Sequence, residues 1–210
     1  MEGSNPRRIA RLVINLISHP SYIPFYLKHM PYYGKSPVDI ELPWISYEAI
    51  QFLEKFLTSE MEVFDWGCGG STFFFSKRVK HITAIENHRD WYELVVKKMV
   101  KQNICNVDLQ LHEGDLSVAS NFLSSSYFQA GPKKKYDVIM IDGYETPEDV
   151  LRPFCFDACE EYVKENGIIL VDDSYRYKEL RTKNKANDVK IFKSIGPGRY
   201  GVTSTDLYFY

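Results

Sequence analysis

The sequence lacks the features that mark membrane-spanning, disulfide-rich and nucleic-acid-coating proteins. Residues 12–27 carry no Asp, Glu, Lys or Arg, yet two prolines interrupt them, and they fall short of the roughly 20 apolar residues of a membrane helix. The net charge of −2 gives no bulk positive field for a nucleic acid. The few cysteines, Cys68, Cys105, Cys155 and Cys159, form no Cys-x-x-Cys pair, which favours reduced thiols. Because residues 12–27 also lack a small-residue cleavage site, we expect a cytoplasmic protein without a transmembrane segment.

Size and composition are those of a globular domain with an extension. The 210 residues are enough for a sizeable core, and 44% hydrophobic with 26% charged residues exclude a disordered chain. Residues 1–58 form an aromatic-rich lead-in with predicted helices at 7–17 and 46–57. Residues 59–210 form a predicted α/β domain, because their pattern changes to short apolar runs.

In this second part, the apolar runs alternate with helical patterns. Predicted strands cover 63–64, 81–86, 107–111, 136–142, 167–173, 189–195 and 206–210, and predicted helices cover 71–79, 90–100 and 147–163. This alternation indicates right-handed βαβ units and a mostly parallel, doubly wound sheet. Runs 138–141 and 168–171 are apolar at every position, which is typical of strands covered on both faces. We expect Pro153 to bend or interrupt the last helix.

The last two predicted strands are joined by about ten residues, which are too few for a crossover helix, so we expect this pair to be antiparallel. Their connection includes the turn-rich loop 196–201. This loop lies near the expected substrate side, either as a substrate loop or as a plain connector.

Carboxylates follow the predicted strands of the parallel core. Asp65, Glu86, Asp115 and Asp142 come at or just after four strands, and the pair Asp172-Asp173 follows the fifth. Open α/β sheets bind ligands at the carboxyl ends of their strands, so these acids are candidate binding residues. Asp and Glu also favour loops and helix caps, which is the structural alternative for each of them.

A glycine-rich loop joins the first strand to the next helix. It reads Asp65-Trp66-Gly67-Cys68-Gly69-Gly70-Ser71-Thr72, and its glycines allow a tight turn and a close approach to a ligand. A dinucleotide fingerprint aligned on Gly67 and Gly69 needs a third glycine where Thr72 stands, and no phosphate-loop Gly-Lys-Ser/Thr follows. Glu86, 21 positions after Asp65, can accept hydrogen bonds from both hydroxyls of a ribose, and Asp115 can accept one from an adenine amino group.

With these residues, the sequence resembles the class I S-adenosylmethionine-dependent methyltransferases over about residues 60–210. Asp65-x-Gly67-x-Gly69-x-Ser71 is similar to their first motif, Glu86 to their ribose-binding acid, Asp115 to their adenine-side acid and residues 136–142 to their fourth motif. The resemblance implies a Rossmann-like, seven-stranded sheet with a C-terminal antiparallel hairpin. It also implies S-adenosylmethionine (SAM) as the cofactor. In this part of the chain, the predicted contacts of SAM are Asp65, Gly67, Gly69, Ser71, Glu86, Asp115 and Asp142. Among them, the resemblance implies that Asp65 lies near the amino acid part of SAM.

Two segments narrow the resemblance further. Ile141-Asp142-Gly143 and Val171-Asp172-Asp173 are similar to the cation-dependent O-methyltransferases, which implies Mg²⁺ held by Asp142, Asp172 and Asp173. Such a metal would acidify an acceptor hydroxyl. Alternatively, Asp172 and Asp173 cap the next turn and Asp142 contacts only SAM. Asp142 and Asp173 are the candidate catalytic bases.

The predicted function is methyl transfer from SAM to a small-molecule acceptor, at a hydroxyl oxygen, by direct displacement. One alternative is a methyltransferase fold kept as a non-catalytic binding or scaffold protein. Another is an RNA methyltransferase, which the acidic balance disfavours. A third is a nicotinamide-dependent oxidoreductase, which the missing third glycine disfavours.

The lead-in supplies candidates for covering the cofactor and for contacting partners. Pro43-Trp44 precedes the helix that feeds the first strand, so Trp44 is a candidate cofactor contact; the alternative is packing against the sheet edge. Three arginines, Arg7, Arg8 and Arg11, beside the apolar positions 12–17 hint at a membrane-surface helix, although a bundled surface helix is the favoured interpretation. Packing of the lead-in on a second copy makes a homodimer a candidate assembly.

Overall fold

Seven strands form one sheet within residues 6–30, 36–145, 150–199 and 201–210, which the computed structural model of the chain describes. The strands are β1 (Glu62–Trp66), β2 (His81–Glu86), β3 (Val107–Leu111), β4 (Tyr136–Ile141), β5 (Val163–Asp172), β6 (Asp188–Ile195) and β7 (Val202–Phe209). Their order across the sheet is β3-β2-β1-β4-β5-β7-β6. β7 is antiparallel to both of its neighbours, while the other adjacent strands are parallel. The predicted Rossmann-like sheet with a C-terminal antiparallel hairpin is confirmed.

Helices precede the sheet and connect its strands. They are α1 (Pro6–Ser18), α2 (Ile23–His29), α3 (Pro37–Ile40), α4 (Tyr47–Phe56), α5 (Gly70–Ser76), α6 (Arg89–Lys101), α7 (Ala119–Ser124), α8 (Ser126–Gln129) and α9 (Arg152–Cys159). Short 3₁₀ turns lie at Pro20–Tyr22, Ser174–Arg176 and Lys178–Arg181. Within the described ranges, none of the helices has the length and apolar character needed to cross a membrane.

Helices pack on both faces of the sheet and bury it. Val138 and Met140 of β4 lie in one apolar cluster with side chains of α4 and α5, whereas Ile139 and Ile141 lie in a second cluster with side chains of α7, α8 and α9. Successive residues of a strand point to opposite faces. The run 138–141 is therefore apolar at every position because each face of β4 has its own core, as predicted.

The N-terminal extension contributes to the first of these clusters. Leu12 of α1 and Tyr22 are buried there, together with side chains of α4. Ser46 begins α4 as predicted, because its Oγ accepts a hydrogen bond from the Ala49 N–H at 3.3 Å. The Ser46 N–H donates to Thr205 Oγ1 at 3.2 Å and so ties the extension to β7. Contacts therefore cross the predicted division at residue 58, which stays a prediction.

A second contact holds α3 and the residues after it against α5 and α6. Glu41 ends α3 with a positive φ of 59° and forms ion pairs with Lys77 and with Lys98, the latter at 2.8 Å. Burial opposes the charge of Glu41, but the two lysines outweigh it and lower the pKa of Glu41 to about 2. A Cβ on Gly70 would lie 1.9 Å from the Leu42 carbonyl oxygen, so only glycine lets these backbones approach.

The helix predicted at 147–163 begins later and ends earlier in the structure. Residues 146–149 lie outside the described ranges, α9 covers Arg152–Cys159, and Val163 already belongs to β5. Pro153 lies in the first turn of α9, where its missing N–H removes no helical hydrogen bond. Pro153 therefore does not bend a continuous helix; the predicted helix is interrupted just before it, and the proline helps to begin the shorter α9.

Candidate active site

A cavity of about 460 Å³ lies at the carboxyl ends of β1, β2 and β4, and its volume is typical of small-molecule sites. The strand order reverses between β1 and β4, which is the position where open α/β sheets bind ligands. Five parts of the chain supply its walls: the stretch between Ser36 and Trp44, the loop 67–71, the segment from Glu86 to Trp91, residues 142–144, and Arg199.

The glycine loop forms the floor of this cavity. Gly67 and Gly69 have φ angles of 122° and 149°, a region that side chains with a Cβ rarely adopt. A Cβ on Gly69 would lie 3.3 Å from the Trp91 ring, and one on Gly67 would lie 3.4 Å from the Gly143 Cα. The two glycines therefore keep the backbone of the loop open to a ligand.

Asp65 is buried at the end of β1, below the glycine loop. Its Oδ2 accepts a hydrogen bond from Ser71 Oγ at 2.7 Å, while its Oδ1 is buried without a partner among the described residues. Burial raises the pKa of Asp65 well above its usual value, although the Ser71 bond works in the opposite direction. A buried carboxylate oxygen without a donor is costly, so this atom fits a cationic ligand group.

Glu86 is held rigidly at the end of β2. Its Oε1 accepts hydrogen bonds from the Asn87 and His88 N–H groups, both at 2.9 Å, and its Oε2 accepts one from the Cys68 N–H at 3.2 Å. These bonds join the second strand to the glycine loop and fix the direction of the carboxylate. Since Glu86 also lines the cavity, its remaining lone pairs can accept hydrogen bonds from a ligand diol.

Two tryptophans from different parts of the chain line the cavity. Trp91, in the first turn of α6, donates from Nε1 to the Cys68 carbonyl oxygen at 2.7 Å. Trp44 comes from the extension, and its Nε1 is buried without a partner within the described ranges. The Arg199 guanidinium lies over the Trp44 ring, 5.3 Å from its centroid. Trp44 was predicted at this place, whereas Trp91 and Arg199 were not.

Arginines separate the carboxylates that follow β4 and β5. Arg152 Nη2 lies 3.2 Å from Asp142 Oδ1, and Arg152 also donates to the Asp172 carbonyl oxygen at 2.8 Å. Arg199 lies 3.8 Å from Asp172 Oδ2 and 3.5 Å from Asp173 Oδ1. The site therefore pairs each of its three acids with a fixed positive charge.

The three acids differ in access and in proton affinity. The side chain of Asp142 is about a quarter exposed and lines the cavity, whereas that of Asp172 is fully buried. Burial raises the pKa of Asp142, although the Arg152 charge opposes the shift. Burial, with the nearby Asp142 charge, raises the pKa of Asp172 to about 8. Asp142 is therefore the acid after β4 and β5 that a ligand in the cavity can reach.

These acids do not fit a resident divalent cation. Thr205 Oγ1 donates to Asp172 Oδ1 and Thr203 Oγ1 donates to Asp173 Oδ1, both at 2.9 Å. Arg199 faces Asp172 Oδ2 and shares Asp173 Oδ1 with Thr203. Mg²⁺ needs carboxylate oxygens that converge on one point. Throughout the described part of the chain, no group of three or more His, Cys, Asp or Glu side chains is placed to hold a metal. The predicted Mg²⁺ set of Asp142, Asp172 and Asp173 is thus not assembled.

Asp65 and Asp172 are buried and do not line the cavity, and neither do Asp115 and Asp173. Asp115 is exposed, and it accepts hydrogen bonds from the Ser117 N–H at 2.9 Å and from Asn121 Nδ2 at 2.7 Å. These bonds, those from Ser117 first, lower the pKa of Asp115. Asp173, with a φ of 50°, precedes a 3₁₀ turn. Asp115 and Asp173 thus occupy turn positions, while Trp44, Asp142 and the predicted residues of the glycine loop and β2 converge on one site.

Several cavity residues carry no sequence signal that marks them as functional. Trp91 lines the cavity but shares its helix with apolar residues, a pattern that by itself indicates packing against the core. Gly70 looked like one more glycine of the loop, and only its contact with Leu42 shows why it is required. Arg199 places one residue of the loop 196–201 on the cavity wall.

Comparison with known proteins agrees with this geometry. A family model for a methyltransferase domain matches residues 65–174. A candidate O-methyltransferase from Klebsiella pneumoniae is 16% identical with a TM-score of 0.59, over 82% of this chain and 87% of that one. The Thermus thermophilus 16S rRNA N2 G1207 methyltransferase, solved with SAM and guanosine, is 12% identical with a TM-score of 0.55, over 76% of this chain and 41% of that one. No curated protein sequence matches the chain.

The sheet, the glycine loop and the cavity define a class I SAM-dependent methyltransferase. The matched model covers more than half of the sequence, and the chain belongs to the methyltransferase-domain family. The predicted enzyme class is therefore confirmed. The structural neighbours include rRNA methylases as well as a candidate O-methyltransferase, and at this low identity they show the fold alone.

Proposed function

We propose that this methyltransferase transfers the methyl group of SAM to a hydroxyl oxygen of a small-molecule acceptor, with Asp142 as the catalytic base. The observation that carries the proposal is the place of Asp142 on the wall of the cavity. There it contacts Arg152 and lies beside Gly143, which packs against the glycine loop.

The cavity offers matching groups for each part of SAM. Glu86 lines the cavity and suits the two ribose hydroxyls. Asp65 lies behind Ser71 rather than on the cavity wall, and its Oδ1, buried without a donor within the described ranges, suits the ammonium of the amino acid part. Trp44 and Trp91 supply apolar walls. The same contacts support Gly67, Gly69 and Ser71 as loop contacts, whereas Asp115 would need a further movement to reach the adenine.

The reaction is a direct displacement. When bound, SAM supplies a methyl carbon that its sulfonium charge already activates. The acceptor oxygen forms a bond to that carbon as the carbon–sulfur bond breaks, S-adenosylhomocysteine leaves, and the Asp142 carboxylate takes the hydroxyl proton. Arg152 holds Asp142 in position, and the cavity walls align the reacting atoms. Asp173 contacts Arg199 and Thr203 instead, so we do not assign it the base role.

A small acceptor fits this site better than RNA does. The net charge of −2 provides no general attraction for a polyanion. Residues of the extension, including Pro43 and Trp44, cover one side of the cavity. The charge of the chain and this covered side both favour a compact hydroxylated molecule over RNA as the acceptor.

The test is a methyl-transfer assay with radiolabelled SAM, in which a panel of hydroxylated small molecules is compared with total RNA. Methylation of a small hydroxyl compound supports the proposal, and methylation of RNA alone overturns it. Asp142→Asn should lower kcat at least about 100-fold, because the base that takes the hydroxyl proton is lost. Asp108→Asn, on the exposed side of β3, is the matched control and should keep full activity.

A further inference from the structure

The outer face of α1 is apolar and exposed. Leu12 packs into the core of the sheet. Four large aliphatic side chains on the same helix remain in contact with solvent: Ile9 (40% exposed), Val13 (48%), Ile14 (62%) and Ile17 (74%). Positions 9, 13 and 17 are four residues apart, so they form one row along the helix, with Ile14 beside it. The helix thus has one apolar edge in the core and a second apolar face outside.

The next helix, α2, also has exposed apolar side chains. Ile23 and Leu27 of α2, with Met30 just after it, are also exposed and share one face at helical spacing. Within the described ranges, residues 9–30 hold half of the large hydrophobic side chains that are exposed. Such a concentration of exposed apolar side chains marks an interaction surface rather than scattered surface residues.

The charge around this face has one sign. Between residues 3 and 38 the sequence has Arg7, Arg8, Arg11, Lys28 and Lys35 but no Asp or Glu, although the whole chain carries a net charge of −2. Arg7, Arg11 and Ile14 follow one another at helical spacing, so the two arginines lie along the edge of the apolar face. Long basic side chains at such an edge can lay their stems on apolar surface while their charged ends reach outward.

We propose that α1, with α2 beside it, binds the surface of an anionic lipid membrane. An exposed apolar face bordered by arginines is the arrangement of helices that lie in the membrane interface. The apolar side chains would enter the boundary between headgroups and acyl chains, and the arginines would meet lipid phosphates. A second copy of the chain fits less well, because a symmetric dimer would bring the two cationic faces together. The favoured sequence interpretation, a bundled surface helix, holds only for the edge that contains Leu12.

The test measures flotation of the full chain with lipid vesicles, without SAM or acceptor. Vesicles of phosphatidylcholine with about a third of phosphatidylglycerol should bind the protein, and vesicles of phosphatidylcholine alone should bind it much more weakly. Raising the salt from about 0.1 M to about 1 M should weaken the binding, because it screens the arginines. Ile17→Asn should lower the partition coefficient at least about tenfold, and Arg11→Gln should lower it about fivefold.

Matched controls separate this face from the rest of the surface. Val100→Asn changes an equally exposed side chain on α6, and Lys101→Gln removes a charge there; both should bind vesicles like the unchanged protein. Three results would each overturn the proposal: no binding to the anionic vesicles, equal binding to both compositions, or unchanged binding by Ile17→Asn. If the protein does not bind vesicles but forms a dimer that Ile17→Asn abolishes, the face belongs to a contact with a second copy. Because the assay needs neither SAM nor acceptor, its outcome is independent of the proposed reaction.

Discussion

Replacing Glu86 with alanine should weaken SAM binding by at least about 1.5 kcal/mol, which is about a tenfold rise in Kd. Two hydrogen bonds from a ribose to a carboxylate are charge-assisted, and each is worth about 1.5–3 kcal/mol where water is excluded. The carboxylate is already aimed, because it accepts from the backbone N–H groups of Cys68, Asn87 and His88. Its loss also leaves these donors without that acceptor, so 1.5 kcal/mol is a lower bound.

Isothermal titration calorimetry with SAM measures this effect directly. Glu113→Ala is the matched control, because Glu113 is exposed and its described partner is Arg89. Glu86→Ala could also weaken SAM binding by loosening the glycine loop. A second experiment therefore compares two ligands, with and without the ribose hydroxyls, on both proteins. The unchanged protein should prefer adenosine over 2′,3′-dideoxyadenosine, and Glu86→Ala should lose that preference. If both proteins keep the same preference, the reasoning that places the ribose at Glu86 is refuted.

Three further predictions concern the buried groups around the cavity. Gly70→Ala should lower the free energy of unfolding by about 1–3 kcal/mol in thermal denaturation, because its Cβ meets the Leu42 oxygen, whereas Gly114→Ala, with open space around it, should not. The raised pKa of Asp172 means that the folded protein keeps a proton that the unfolded chain releases. The free energy of unfolding should therefore fall as the pH rises from about 4 to about 8. In urea titrations, Asp172→Asn should reduce this fall. SAM binding should release a proton from Asp65, because a cationic ligand lowers the pKa that burial has raised. Calorimetry in two buffers of different ionisation enthalpy should reveal the proton release. Asp65→Asn should abolish the proton release.

Local patterns predicted much of this fold. The spans of β2 and β3 match the predicted strands at both ends. β3 alternates apolar and polar residues, which is typical of a strand. The antiparallel end of the sheet followed from one short connection. By contrast, α7 and α8 lie in the serine-rich stretch 117–126 and the residues just after it, where apolar spacing is weak, and no helix was predicted there.

The sequence likewise predicted some residues of the candidate site and not others. Asp65 and Glu86 could be predicted because a strand end has a known place in an α/β sheet. Arg199 could not, because its approach to Trp44 and Asp172 depends on how the chain returns after β6. The Mg²⁺ prediction failed to account for this arginine, since a row of acids in a sequence does not show which positive charges pack between them.

The contact between Gly70 and Leu42 makes the extension part of the binding equilibrium. The stretch between Ser36 and Trp44 forms one wall of the cavity and also rests on α5, with Glu41 fixed by two lysines. A ligand that binds only this closed arrangement stabilises it by mass action, and the gain grows with the logarithm of ligand concentration. SAM bound against this wall would therefore lower the fraction of molecules in which residues 36–44 lie away from α5.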